Sequence, residues 1–509
     1  MRFPTSYALC RRITFALTAT SALALTGVPR AAHADAITSF TQGDLVVSVY
    51  GDGDGSGPIG DNQASPITLE EVTTTGSVVG QMTLPQTTTT VKGVTNYPIS
   101  GEYGSSSEGT LELSGNKQYL TIAGYGVSAT AFNANQQSYG GGTKTCITGG
   151  ASAVTCYPLA QTASVAGTAG SSGSGVTTAV VVPRVIALVG ANGSVDTSTA
   201  LTGVFNENNP RSVATIDGTS FYIAGQGMNK AKNDPTQGLY YAKLGATTAT
   251  TIDNSYDART VEIQNNQLYL SADSTEGSGV HENISSYGTA GNLPTGNATA
   301  TVLPNLQSKY LTASATQLNV LDGALGGTKI YLSPENYFFA NATTLYVADS
   351  GAPKGDNNGS GNSAQGLSDG GLQKWVLTGG QWVLQYTLSA GLNLVPDTTS
   401  CGSNQVGCGT TGLIGLTGVV NGDSVQLFAT NSTLGDEDPT YLFGITDSLS
   451  STTGAGESFT TLLTAAPDTD IRGVSFAPSA QAAPEPGSLG LFATALLGLL
   501  AIRRRLGRV

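Results

Sequence analysis

The chain is poor in basic residues, histidine and cysteine, and each shortage closes a class of function. Among 509 residues there are 22 Lys and Arg against 35 Asp and Glu. Eight of the basic residues crowd the termini: Arg2, Arg11, Arg12 and Arg30 at one end, Arg503, Arg504, Arg505 and Arg508 at the other. Residues 35–486 keep 14 basic and all 35 acidic groups, a formal charge of −21. So acidic a body repels phosphate backbones and anionic headgroups, which excludes nucleic acid as a partner. Charged residues make up only 11% of the chain, whereas 67 glycines suit short strands joined by generous loops.

Histidine occurs twice, as His33 and His281. His33 lies in the N-terminal leader, so any Ser-His-Asp or Cys-His mechanism has only His281, in the loop GSGVHENIS. No G-x-S-x-G nucleophile elbow on a strand-to-helix turn accompanies it. Metal sites built on several imidazoles are excluded by count. The five cysteines divide into Cys10 in the leader and two local pairs, Cys146 with Cys156 and Cys401 with Cys408. Neither pair has C-x2-C spacing, which disfavours zinc. In an exported chain an even count at short spacing predicts disulfides, each restricting the unfolded state by about 2–3 kcal/mol.

The ends read as addresses. Arg11-Arg12 precedes an apolar stretch, Ile13 to Val28, followed by the small residues Ala32-His33-Ala34. This is the order of a secretory signal peptide, with cleavage expected after Ala34 or Ala36. At the other end stand Pro484-Glu485-Pro486-Gly487, an apolar run from Leu489 to Ile502, and Arg503-Arg504-Arg505. Fourteen residues at 1.5 Å per residue span about 21 Å, short for a bilayer helix, and the arginines hold the tail on the cytoplasmic side. The three parts in this order resemble the PEP-CTERM sorting signal of Gram-negative bacteria that make exopolysaccharide. The resemblance implies that Pro484, Glu485 and Pro486 are recognised by an exosortase, a membrane transpeptidase-like protease, and that the helix and basic tail are removed after a transient stay in the inner membrane.

Between the ends the chain repeats a loose unit. RSVATIDGTSFYIAGQG from Arg211, RTVEIQNNQLYLSADS from Arg259 and SPENYFFANATTLYVADSG from Ser333 each read as strand, tight turn and strand. Fainter copies begin at Gly109 and Gly415. Further hairpins come after the copies, such as GLQKWVLTGGQWVLQYTL from Gly371, GLYYAKLGATTATTI from Gly238 and TYLFGITDS from Thr440. Four strands per unit of about 45 residues predict an all-β fold, a β-propeller of six to seven four-stranded blades. RGVSFAPS from Arg472 reads as a first half without a second, and GDLVVSVYGDG from Gly43 as a second without a first. Their pairing would close the ring. The irregular stretches 127–182 and 305–332 have room for a seventh blade. The expected organisation is a signal peptide over 1–36, a propeller-like repeat domain over 37–480, and the sorting signal with its membrane helix over 481–509.

Chemistry is sparse. Asp52-Gly53-Asp54-Gly55-Ser56-Gly57 follows the opening D-x-D-x-S-G of an EF-hand loop, so Asp52, Asp54 and Ser56, helped by Asp61, are candidate ligands for Ca2+. Position 12 of that loop is Gln63 rather than a bidentate Glu. Paired carboxylates remain for polysaccharide cleavage, with Asp217, Asp253, Asp257, Asp273, Glu335, Asp349 and Asp423 at repeat turns and loops as candidates, each read first as a solvated turn acid. Trp375 and Trp382 sit on adjacent strands of one hairpin and are expected in the core, with a sugar-stacking platform as the alternative. The expected function is an exported, non-catalytic surface or matrix protein that associates with exopolysaccharide or biofilm. The alternatives are a carboxylate-dependent polysaccharide hydrolase or lyase and a calcium-stabilised adhesin.

Overall fold

The computed structural model describes residues 34–51, 62–140, 143–148, 152–170, 175–228, 234–274, 281–306, 310–351, 369–395, 409–435 and 438–480. The chain divides into two units, Met1–Ala34 and Asp35–Val509, and the described strands all belong to the second.

Each expected repeat pair forms an antiparallel ladder. Val261–Gln264 pairs with Gln267–Ser274 about a two-residue turn in which Asn265 and Asn266 both have positive φ, 51° and 57°. Asparagine tolerates that conformation, and two such residues give the turn a twist that matches the flanking strands. Gly379 and Gly380 serve the same purpose between Gly371–Thr378 and Gln381–Leu388. Four sheets are simple four-stranded meanders, beginning at Pro210, Val261, Pro334 and Thr410. A larger, 10-stranded sheet contains two more such units. One runs Glu112–Leu113, Tyr119–Tyr125, Arg184–Gly190 and Val195–Leu201.

The other unit joins the two ends of the body. Thr469–Phe476 pairs antiparallel with Leu45–Gly51, which pairs with Ala64–Val72 and then Val78–Thr83. The half-hairpins at Arg472 and Gly43 thus complete one sheet, as their sequences predict. A short parallel strand, Asp35–Ala36, is added at its outer edge.

The sheets follow one another as propeller blades, with an apolar layer between neighbours. Val213, Phe221 and Ile223 pack with Ile186 and Leu188 of the preceding sheet. Leu345, Val347, Trp375 and Trp382 pack with Ile284. Leu427, Phe443 and Leu413 pack with Tyr346 and Leu372. The layer that closes the ring holds Leu45, Val47, Ile471 and Val474 against Phe428 and Leu442. Sheets covered on both faces explain the scarcity of charge in the strands.

Hydroxyl groups inside the strands tie adjacent sheets together. Ser48 Oγ donates to the Gly109 carbonyl at 2.7 Å, Ser271 Oγ to the Glu335 carbonyl at 2.7 Å, and Thr411 Oγ1 to the Ser350 carbonyl at 2.7 Å.

The irregular stretches hold no four-stranded sheet among the described residues. In 127–182 lie the helix Ala129–Ala134, a 3-10 turn Gln136–Ser138 and the hairpin Lys144–Thr148 with Ser152–Cys156. In 305–332 lie the helix Val320–Leu325 and a three-rung pair, Tyr310–Thr312 with Lys329–Tyr331. Both are insertions between strands, on the side of the ring where second strands end and first strands begin. The opposite side carries mostly short turns, including 265–266, 342–343, 379–380 and 422–423.

Candidate functional site

On the long-loop side of the ring, the starts of the inner strands bring four of the seven candidate acids into one buried network. Arg211, which opens one inner strand, places Nη1 3.0 Å from Asp257 Oδ2 and donates from Nη2 to Gln226 Oε1 at 2.7 Å. Arg259, at the same place in the next repeat, spans Asp273 at 3.5 Å and Glu335 at 3.3 Å. Ser333 Oγ donates to Asp273 Oδ2 at 2.9 Å, and its backbone N–H donates to Asp349 Oδ2 at 2.9 Å. Gln373 Nε2 also donates to Asp349 Oδ2, at 2.9 Å, while its Oε1 accepts from Trp375 Nε1 at 3.0 Å.

These groups are inside the protein. Asp257, Asp273 and Asp349 have no exposed surface and Glu335 retains 5%, which corrects the reading of them as solvated turn acids. The sequence places them at strand ends, and here those ends face polar groups of neighbouring strands and sheets. Burial would lower the ionisation of both Arg211 and Arg259. For Arg259, Glu335, Asp273 and Asp257 outweigh burial and raise its pKa, whereas Arg211, beside Arg259, is left lowered. Asp349 lacks an arginine of its own and burial pushes it up to about 7, against two backbone hydrogen bonds that favour the carboxylate.

The remaining three candidates stand apart from this network. Asp217 and Asp423 are exposed turn acids, the first bonded to Thr219, the second to Ser448 and Ser450. Asp253 accepts from the Tyr287 hydroxyl at 2.8 Å. His281 is not an exposed loop residue: it begins the strand His281–Tyr287, is half-buried, and stacks on Tyr256 with centroids 4.3 Å apart. Trp375 and Trp382 lie in the core, 1% and 4% exposed, and form no platform.

A second polar knot surrounds Arg184. Its guanidinium donates to the carbonyls of Thr162, Val182 and Phe205 at 2.8, 3.0 and 2.7 Å and lies 4.7 Å from the centroid of Tyr125. Tyr125 donates to Glu108 Oε1, which also accepts from Asn209 Nδ2 at 2.6 Å. Neither arginine cluster was singled out in the sequence. The signal was present in the arginine that opens the copies at 211, 259 and 472, a charge recurring at one position of a buried strand.

The candidate calcium ligands Asp52, Asp54, Ser56 and Asp61, the pair Cys401 and Cys408, and the sorting residues Pro484 to Pro486 and Arg503 to Arg505 lie outside the described residues. Among the described residues no cluster of three or more His, Cys, Asp or Glu side chains is arranged to hold a metal, and no helix is long and apolar enough to cross a membrane.

The fold and the terminal motif together define an exported, envelope-sorted β-propeller protein. Residues 482–505 match the PEP-CTERM protein-sorting motif, which marks export, exosortase processing and envelope-associated sorting in Gram-negative bacteria. No curated protein matches the chain in sequence. Among solved structures it is similar to a chain of the nidogen/laminin complex, at 10% identity and TM-score 0.33, covering 85% of this chain and 98% of that one. Apo AztD from Citrobacter koseri matches at 9% identity and TM-score 0.31, over 87% and 100% of the two chains. A polysaccharide lyase, the ulvan lyase of family PL25, matches at 10% and 0.29, over 84% and 86%. The propeller assignment rests on the strand order of this chain.

Proposed function

We propose that the protein is a non-catalytic component of the cell surface or extracellular matrix that binds exopolysaccharide. The observation that carries the reading is the fate of the acids: the carboxylates that converge are buried and consumed in ion pairs and hydrogen bonds, which leave no gap between them for a sugar ring. Glycoside cleavage needs two carboxyl groups facing a bound sugar from opposite sides. A ring of buried sheets with its long connections gathered on one side is instead suited to display.

The mature body is proposed to be a six-bladed ring over about residues 37–480, released from a signal peptide over 1–36 and sorted through 481–509. Asp52, Asp54, Ser56 and Asp61 are proposed to bind Ca2+, and a melting temperature unchanged by calcium after chelation would remove that site. A Cys146–Cys156 disulfide is proposed on the bonded state of Cys156 and on the hairpin the two cysteines share. A Cys401–Cys408 disulfide is proposed on spacing alone, and thiol counting of denatured, unreduced protein tests both.

The main test is co-sedimentation of the exported protein with exopolysaccharide from the producing bacterium, followed by sizing of the polysaccharide. Saturable retention without shortening is expected. Shortening would replace the reading with a hydrolase or lyase, and retention no greater than that of an unrelated acidic protein would remove the polysaccharide as ligand.

A further inference from the structure

An open cleft of about 560 Å3 lies on the long-loop side, between the insertion of the second sheet and the loops of the third. Its walls include Val165, Ala169, Asn206, Glu207, Met228 and Pro235. We propose that this cleft is the glycan-binding site, taking a neutral segment of roughly two or three sugar rings by its hydroxyl groups. The proposal rests on the polysaccharide reading above and gives it a location.

The turn that presents the polar groups is built at a conformational cost. Phe205 and Glu207 have φ of 48° and 53°, a left-handed region that non-glycine residues seldom occupy. Three elements force it. Arg184 Nη2 holds the Phe205 carbonyl, the Phe205 N–H donates to the Thr236 carbonyl at 2.5 Å, and the Glu207 N–H donates to the Thr162 carbonyl at 3.1 Å. Asn206 Oδ1 accepts from the N–H groups of Ser164 and Val165 at 2.8 and 3.0 Å. A strained turn fixed by three separate segments is preorganised, and preorganisation lowers the ordering cost of binding.

What the turn offers is a matched donor and acceptor. Asn206 Nδ2 is 3.6 Å from the Met228 sulfur, a weak acceptor that a hydroxyl oxygen would readily replace. The Glu207 carboxylate is half-buried, and no hydrogen bond to it is found among the described residues. An amide N–H beside a carboxylate suits neighbouring hydroxyls, one accepting and one donating. Met228, 41% exposed, and Pro235 supply an apolar wall for the C–H face of a ring.

Other ligand classes fit less well. An anion would meet Glu207 and Asp234, both in the cleft wall. An apolar ligand would strip water from Glu207 without returning a hydrogen bond.

The test uses the exported protein and a fluorescently labelled pool of two- to six-unit oligosaccharides, released by partial hydrolysis of the producing bacterium's exopolysaccharide. Titration should show saturable binding that weakens at least 10-fold in Glu207→Gln and is lost in Ala169→Trp, where an exposed side chain fills the cleft. Unchanged melting curves would show that both variants fold, and the tryptophan variant carries the test alone if Glu207→Gln disturbs the turn. Wild-type affinity in both variants would overturn the cleft while leaving the polysaccharide reading intact. An absence of binding to intact protein would overturn both.

Discussion

Arg259 shows why a charge can be needed where charges are rare. It is nearly buried, and two carboxylates from different strands depend on it, Asp273 at 3.5 Å and Glu335 at 3.3 Å. A buried ion pair adds little net stability over a well-packed apolar replacement, but removing one partner strands the other's charge. Arg259→Met should therefore cost about 3–5 kcal/mol, read as a shift of the urea midpoint, while Arg259→Met combined with Asp273→Asn and Glu335→Gln should recover part of it. If the single variant melts like the wild type, the network is not holding the two sheets together. The arginine itself was legible, since it opens a repeat copy. Its partners were not, because Glu335 is brought to it by the packing of two sheets, and no local spacing records that contact.

At the scale of elements, alternation and turn residues sufficed for the hairpins, down to the Asn265-Asn266 and Gly379-Gly380 turns. The stretches 127–182 and 305–332 stood out as irregular with room for a seventh blade, but composition does not count ladder partners, and among the described residues each holds one two-stranded pair rather than a four-stranded sheet. Closure was legible from the two half-hairpins, yet its tightest point was not. Gly473, in the closing inner strand, donates its N–H to the Gly109 carbonyl at 3.1 Å. A Cβ on Gly473 would stand 2.3 Å from that oxygen and 2.5 Å from the Leu111 nitrogen, both backbone atoms that cannot swing away. Gly473→Ala should thus separate the first two inner strands and destabilise the protein by about 2–3 kcal/mol, the usual cost of overpacking. Gly422→Ala, with open space around its Cβ and a φ of 63°, gives the comparison in which only backbone strain acts. A larger loss at 422 than at 473 would contradict closure by close approach.

For the molecule as a whole, burial of acids sets how stability depends on pH. Glu112 and Glu262 lie on inner strands of two sheets that are separated by a third, so they meet only toward the ring's axis. Burial pushes Glu262 up to about 8, and burial together with Glu262 raises Glu112 well above the usual carboxyl range. The neighbouring titratable group is the Tyr337 phenol, itself raised by burial and by both acids. Asp349, at about 7, belongs to the same class of raised carboxyls. In each case the folded protein keeps a proton that the unfolded chain releases near pH 4–4.5. The folded state then binds more protons between that pH and the folded pKa, so stability falls as pH rises through the interval and levels off above it. The excess negative charge of the body acts in the same direction as more acids ionise. The melting temperature should accordingly be higher at pH 5.5 than at pH 8.5, by on the order of 5 °C or more. Glu262→Gln keeps the size and a hydrogen-bonding amide but cannot ionise, so it should flatten the decline between pH 6 and 8.5 while leaving the melting temperature at pH 5.5 close to that of the wild type. An equal decline in the variant would show that the axial acids are ionised throughout, with a cation or water compensating them, and that the pH dependence arises elsewhere.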